Sequence, residues 1–263
     1  MANTIDIYGD ESTFVRIVER DISEYTDDAI ERIGQNAFCD CPSLISINLL
    51  AAISISTNAF ASCSSLSSIN LPEVKQLDAS AFARCSTLTT ANLPKVTYIG
   101  ISGFTNCSSL ANISLPAATN FGSSAFAWCT SLVNISLPAA LTIASYMFTE
   151  CRSLTTVSLP LARSISGNAF QNCYCLTNLS LPKASRIENY AFVSCISLEN
   201  LILLSTSVCN LGGYSAFKST PMSLSSYLGH FGSIYVPSSL VSAYKTATNW
   251  TYYADRITAY TGE

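Results

Sequence analysis

Ala125-Phe126-Ala127-Trp128-Cys129-Thr130-Ser131-Leu132-Val133-Asn134-Ile135-Ser136-Leu137-Pro138 decides the fold, because its apolar positions recur every twenty-two residues along most of the chain. Phenylalanine returns at Phe38, Phe60, Phe82, Phe104, Phe126, Phe148, Phe170 and Phe192. Cysteine keeps the same step at Cys41, Cys63, Cys85, Cys107, Cys129, Cys151, Cys173 and Cys195. Leucine does so twice, from Leu44 to Leu198 and from Leu49 to Leu203, and proline follows the second leucine in six of eight copies. Self-similarity at a period of this length is the mark of a solenoid, in which no repeat buries its apolar side alone and neighbours must stack.

Each repeat reads as physical parts. Leu-x-x-Ile-x-Leu is a short strand with alternate side chains pointing inward. Proline ends its ladder because it has no N–H to donate. A second extended piece follows, as in Val74-x-x-Leu77, and then Ala-Phe-x-x-Cys, whose spacing fits one helical turn with all three side chains on one face. The reading is an α/β repeat solenoid, a right-handed superhelix with a parallel β-sheet on one face and short strands and helical turns on the other. At ~4.8 Å per strand the sheet runs on the order of 40 Å. The expected divisions are an N-terminal acidic cap over 1–29, eight repeats over 30–204, and a degenerate repeat with a C-terminal cap over 205–263.

Working outward, the ends look like covers. Residues 1–31 hold nine of the seventeen acids and two of the thirteen bases, so the repeats are almost electrically silent. Phe14–Ile22 mixes apolar and charged residues as a guarded edge strand would. Phe217 falls twenty-five residues after Phe192, as in a looser ninth repeat. Ser238 is placed to cap a short helix carrying Leu240, Val241 and Tyr244 on one face, with Tyr252, Tyr253 and Ile257 as further cover.

Composition narrows the function. Apolar residues make up 49% of the chain and charged residues 11%, against roughly 25% charged in an average soluble domain. Disorder needs the opposite balance. A net charge of −4 invites no nucleic-acid backbone, and no run approaches ~18 uninterrupted apolar residues. Met1–Asp6 has neither a basic nor an apolar leader region, so it reads without a secretory signal.

Catalysis finds little support. The one histidine, His230, lies outside the repeats, and a Cys–His mechanism needs an oriented base beside the thiol. Ladder cysteines face inward as inert small hydrophobes, expected as thiols because parallel side chains do not converge. Cys39-x-Cys41 and Cys173-x-Cys175 miss the spacing that zinc prefers. Asp27, Asp28 and Glu31 match no calcium loop. We expect no enzyme activity, no cofactor and no metal.

The repeat Cys-x-Ser-Leu-x-x-Ile-x-Leu-Pro-x-x-x-x-Ile-x-x-x-Ala-Phe-x-x resembles the leucine-rich repeat of the BspA-like (Treponema pallidum-type) class over about residues 30–204. Ile234-Tyr235-Val236-Pro237, with Ser238–Ala247 and Trp250, is similar to the segment that often closes such arrays. The resemblance implies a bacterial or protist surface protein that binds host proteins or other cells. Very Ser/Thr-rich members with few charges are similar to prophage-encoded proteins, so a surface, secreted or phage-associated setting is what the resemblance favours. The chain departs from the surface pattern in showing no signal peptide or anchor.

What remains is surface. The third position of the strand carries Ser46, Ser68, Thr90, Asn112, Asn134, Thr156, Asn178 and Asn200, and the fifth Asn48, Asn70, Asn92, Ser114, Ser136, Ser158, Ser180 and Ile202. This uncharged carpet suits a protein partner, or a glycan, that hydrogen-bonds without desolvating a charge. Stacked amides that bond one another are the structural alternative. Trp128 and Tyr146, with Tyr174 and Tyr190, break columns of small or polar residues and are candidate contacts for a sugar ring or a protein hot spot, or fillers of a groove between turns. The leading expectation is a non-catalytic recognition or adhesion module binding protein through the strand face. A carbohydrate-binding module and a structural spacer or fibre component are the alternatives.

Overall fold

The computed structural model describes residues 5–6, 13–14, 16–17, 21–223 and 231–262. They form a solenoid of about ten coils. Strands at the expected Leu-x-x-Ile-x-Leu positions build one face. A seven-stranded parallel sheet runs from Glu24–Asp27 through Ser46–Leu49, Ser68–Asn70, Thr90–Asn92, Asn112–Ser114 and Asn134–Ser136 to Thr156–Ser158. A four-stranded sheet continues it through Asn178–Ser180, Asn200–Ile202, Ser233–Val236 and Ile257–Ala259. Register holds at one repeat per step: Asn112 opposes Asn134, which opposes Thr156. The two-residue second strands, such as Gln76–Leu77 and Tyr98–Ile99, stack in parallel in the same way.

The first strand of the long sheet, Glu24–Asp27, lies within the stretch read as an acidic cap and pairs with Ser46–Leu49. It is the last strand of that sheet among the described residues, and its exposed Glu24 puts a charge at that end, as suits an edge. Of the edge strand expected at Phe14–Ile22, Phe14 pairs with Ile33 in the second ladder, while Arg16–Ile17 lies antiparallel to Ile5–Asp6. Residues 15 and 18–20 of that expectation lie outside the described residues.

Proline does more than end a strand. Val74 N–H donates to the Leu71 carbonyl and Val96 N–H to that of Leu93, so the proline takes the second place of a β-turn, where its fixed φ is preset.

The Ala-Phe-x-x-Cys segment is a string of β-turns rather than one helical turn. Ala59, Ala61 and Cys63 each donate N–H three residues back, whereas Asn58, Phe60 and Ser62 donate to Ala79, Ala81 and Ala83 of the next coil. The alternation requires left-handed residues twice per coil, as at Asn58 (φ 56°) and Ser62 (φ 62°), which suits the third place of a type II turn. A helical turn would keep these N–H groups within the segment and leave the neighbouring coil unbonded.

Phe38 to Phe217 form a fully buried column of nine rings with successive centroids 4.8–5.8 Å apart. Tyr25 meets its front end and Trp250 and Tyr253 its rear. Among the described residues the only α-helix is Val241–Thr246. Ser238 makes no side-chain cap bond; it starts a 3₁₀ turn, Ser238–Leu240, that precedes the helix. Tyr244 is buried, and Leu240 and Val241 pack half-buried against the core. Cap side chains close the backbone of the ninth coil: Trp250 Nε1 donates to the Cys209 carbonyl at 2.7 Å, and Cys209 N–H donates to the Tyr244 hydroxyl at 2.9 Å. Tyr252 is no part of this cover, because it is exposed and stacks on Tyr214.

Candidate functional site

Alternation along each strand buries the isoleucine column and turns the third and fifth positions outward. From Thr90 to Ser158 these outward side chains surround a depression of about 350 Å³. Asn112, Ser114, Asn134, Ser136, Thr156 and Ser158 line it together with Thr90, and Ala91, Ile113 and Ile135 form its floor. Ala91 stands where most other strands carry Ile or Leu, which leaves that part of the floor less filled. No charged side chain is among the lining residues. Asn178, Ser180 and Asn200 continue the face beyond the depression.

The amides bond one another along the sheet. Asn92 donates to Asn70 and Asn70 to Asn48, each at 2.7 Å, while Asn134 donates to Asn112 at 3.2 Å and Asn200 to Asn178 at 2.7 Å. The carpet therefore serves the fold, since stacked amides satisfy one another as the structural reading expects. An amide has more donor and acceptor sites than one such bond uses, so capacity remains for a ligand.

Trp128 and Tyr146 do not line the depression; both belong to the β-turn segments. Each occupies a left-handed position, Trp128 at φ 63° and Tyr146 at φ 57°, as does Tyr190 at φ 61°. The same columns hold Asn, Ser or Asp in most other coils, residues that tolerate this conformation better than a bulky aromatic. Trp128, Tyr146 and Tyr190 are 40–46% exposed, so none is a buried groove filler.

The ladder cysteines have a role that spacing did not reveal. Each thiol from Cys63 to Cys129 donates to the carbonyl of the phenylalanine twenty-five residues earlier, as Cys129 Sγ does to Phe104 at 3.2 Å, and the series continues through Cys195 to Phe170 at 2.9 Å. That carbonyl already accepts an N–H within its own turn, as Phe60 does from Cys63, so the thiol occupies its second lone pair. Burial pushes the Cys85 and Cys129 thiols up to about 12, and Cys107, Cys151 and Cys173 are also raised, mainly by desolvation. Such groups are the reverse of activated nucleophiles, which are lowered. His230 lies outside the described residues.

Asp27 accepts N–H bonds from Ala29 at 2.8 Å and Ile30 at 3.0 Å through one oxygen and the Tyr25 hydroxyl through the other, so its carboxylate orders the chain after the edge strand. Among the described residues no group of three or more His, Cys, Asp or Glu is placed to hold a metal ion, and no helix is long and apolar enough to cross a membrane.

The chain matches the family described as the BspA type leucine-rich repeat region, in six copies, over residues 31–155 and 119–236. Among solved structures it is similar to the leucine-rich repeat protein of T. pallidum, with 25% identity and a TM-score of 0.60, covering 65% of this chain and 86% of that one. It is also similar to a leucine-rich repeat protein from Bacteroides ovatus, with 18% identity and a TM-score of 0.38, covering 95% and 87%. A leucine rich cell surface protein from Faecalibacterium prausnitzii shares 15% identity with a TM-score of 0.36, covering 95% and 98%. No curated protein matches the chain.

Proposed function

We propose a function from one premise: the chain belongs to the BspA-type leucine-rich repeat family, whose repeats it carries over more than half of its length. As a member it is a protein-interaction or adhesion scaffold. Its finer role is that of a non-catalytic module that binds a protein partner through the strand face, centred on Asn112, Asn134, Thr156, Ser114, Ser136 and Ser158 and extended by Asn178, Asn200 and Ser180. The observation that carries this reading is the depression those first six residues line, with neutral hydrogen-bonding walls and a small apolar floor. A partner settling there loses water from amides and hydroxyls that it can re-bond, and strips no charge.

The test is Asn134→Glu combined with Ser136→Glu, which sets two like charges on one strand of the face. Immobilised wild type captures a partner from host-cell or bacterial-surface protein extracts, and the double variant captures at least about tenfold less, since desolvated like charges cost several kcal/mol. Its melting temperature stays within a few degrees of wild type, because both sites are exposed and the bond lost, from Asn134 to Asn112, is a surface one worth about 1 kcal/mol. Undiminished capture by the double variant would place the contact elsewhere.

A further inference from the structure

We propose that Trp128, Arg152 and Tyr174 form a second binding site, on the β-turn segments, for an acidic saccharide. The Arg152 guanidinium carbon lies 6.0 Å from the centroid of the Trp128 ring and 5.7 Å from that of Tyr174. The three side chains come from three successive coils, so the platform is roughly 10 Å long. That length accommodates a di- or trisaccharide. A sugar ring presents an apolar C–H face that stacks on an aromatic ring and a polar edge that seeks hydrogen bonds, and a sugar carboxylate matches a guanidinium.

The arginine is held in place. Glu150 is 8% exposed, and both of its oxygens are engaged: one accepts Arg152 Nε at 2.8 Å and the other Asn172 Nδ2 at 2.6 Å. A carboxylate fixed in this way anchors the guanidinium through Nε, and an arginine so anchored offers its Nη pair as a two-pronged donor. The side chain of Arg152 stays 51% exposed despite the ion pair. Trp128 is 44% exposed and holds a left-handed backbone position that Asn106 occupies in the preceding coil, Glu150 in the next and Asn172 in the one after. Neither burial nor turn geometry accounts for a tryptophan there.

A small stacked ligand fits this cluster better than a protein surface does. At the same repeat positions of the flanking coils stand Asn106, Thr130, Asn172 and Ser194, all polar, and beyond Tyr174 a single apolar residue, Ile196, whereas a standard protein interface covers about 800 Å² per partner around an apolar centre. The site is separate from the strand face, because none of its residues lines the depression.

Trigalacturonate titrated into the full chain tests the proposal by calorimetry and by tryptophan emission. The other tryptophan, Trp250, is fully buried, so an early change in emission reports Trp128. Saturable binding is expected. Arg152→Gln weakens it roughly ten- to a hundredfold by removing a charged donor pair, and Trp128→Asn, which installs the residue its own column accepts, removes it with the fold intact. Asn134→Glu/Ser136→Glu leaves it unchanged, which separates this site from the strand-face reading. Maltotriose binds more weakly than trigalacturonate, and triglutamate does not bind. The proposal is overturned if trigalacturonate gives no saturable signal, if Arg152→Gln and Trp128→Asn bind as wild type does, or if triglutamate binds equally well, which would make the site a peptide-carboxylate one.

Discussion

Raising the pH above about 9 under reducing conditions unfolds this chain steeply. Desolvation raises seven thiols in the folded state, those of Cys63, Cys85, Cys107, Cys129, Cys151, Cys173 and Cys209, and Cys85, Cys129 and Cys209 reach about 12. In the unfolded chain a thiol titrates near 8.5–9. Between those limits the unfolded state binds fewer protons than the folded one, so stability falls as pH rises. It is fully present below about 9 and is lost progressively toward 12. Each thiol that is ionised in the unfolded chain but protonated in the folded one adds at most about 1.4 kcal/mol per pH unit to that loss, so a few of them acting together suffice. A typical domain has only about 5–15 kcal/mol to lose. Unfolding free energies from denaturant titrations at pH 8, 9 and 10 measure the slope, and Cys107→Ala/Cys129→Ala makes it shallower by about two protons. A stability that stays flat from pH 8 to 10 would contradict the thiol ladder.

Phe126→Ala is the substitution with the largest expected loss of stability. The ring is fully buried, 5.5 Å from Phe104 and 5.8 Å from Phe148 in the middle of the column. Coils above and below are held in register by backbone bonds such as Phe126 N–H to the Met147 carbonyl, so they cannot collapse into the space left. The expected cost is about 3–5 kcal/mol, which at roughly 2–4 °C per kcal/mol for a chain of this size is a melting-temperature drop of roughly 6–20 °C. Coils touch only their neighbours, so the weakened interface also separates two half-arrays, and thermal unfolding broadens or splits. A loss below about 1 kcal/mol would mean that the column is not continuously packed.

Period alone made most of this legible. Eight phenylalanines and eight cysteines at one spacing predict the stacked column and the inward ladder, and Leu-x-x-Ile-x-Leu predicts the strands. The first strand was missed because Ile22, Tyr25 and Asp27 stand where later coils have Leu44, Ile47 and Leu49. The β-turn string was missed because Ala-Phe-x-x-Cys also fits a helical face. Its signal was the run of Asn and Ser at positions such as 58, 80, 102 and 124, residues that favour left-handed turns. The thiol-to-carbonyl bonds span twenty-five residues rather than twenty-two, an offset that depends on how coils overlap and that no repeat alignment displays. At the surface, the grouping of Asn112, Asn134 and Thr156 followed from strand alternation. The meeting of Trp128, Arg152 and Tyr174 did not, because it depends on long side chains reaching across coils.

Photocrosslinking from defined positions tests the strand-face role most directly. A benzoylphenylalanine placed at Asn134 samples the depression, and one at exposed Lys75 samples the surface beyond the proline turn. The strand-face account predicts a discrete crosslinked protein partner from position 134, competed by unlabelled wild type but not by Asn134→Glu/Ser136→Glu, and none from position 75. A competed partner from position 75 with nothing from 134 would contradict it.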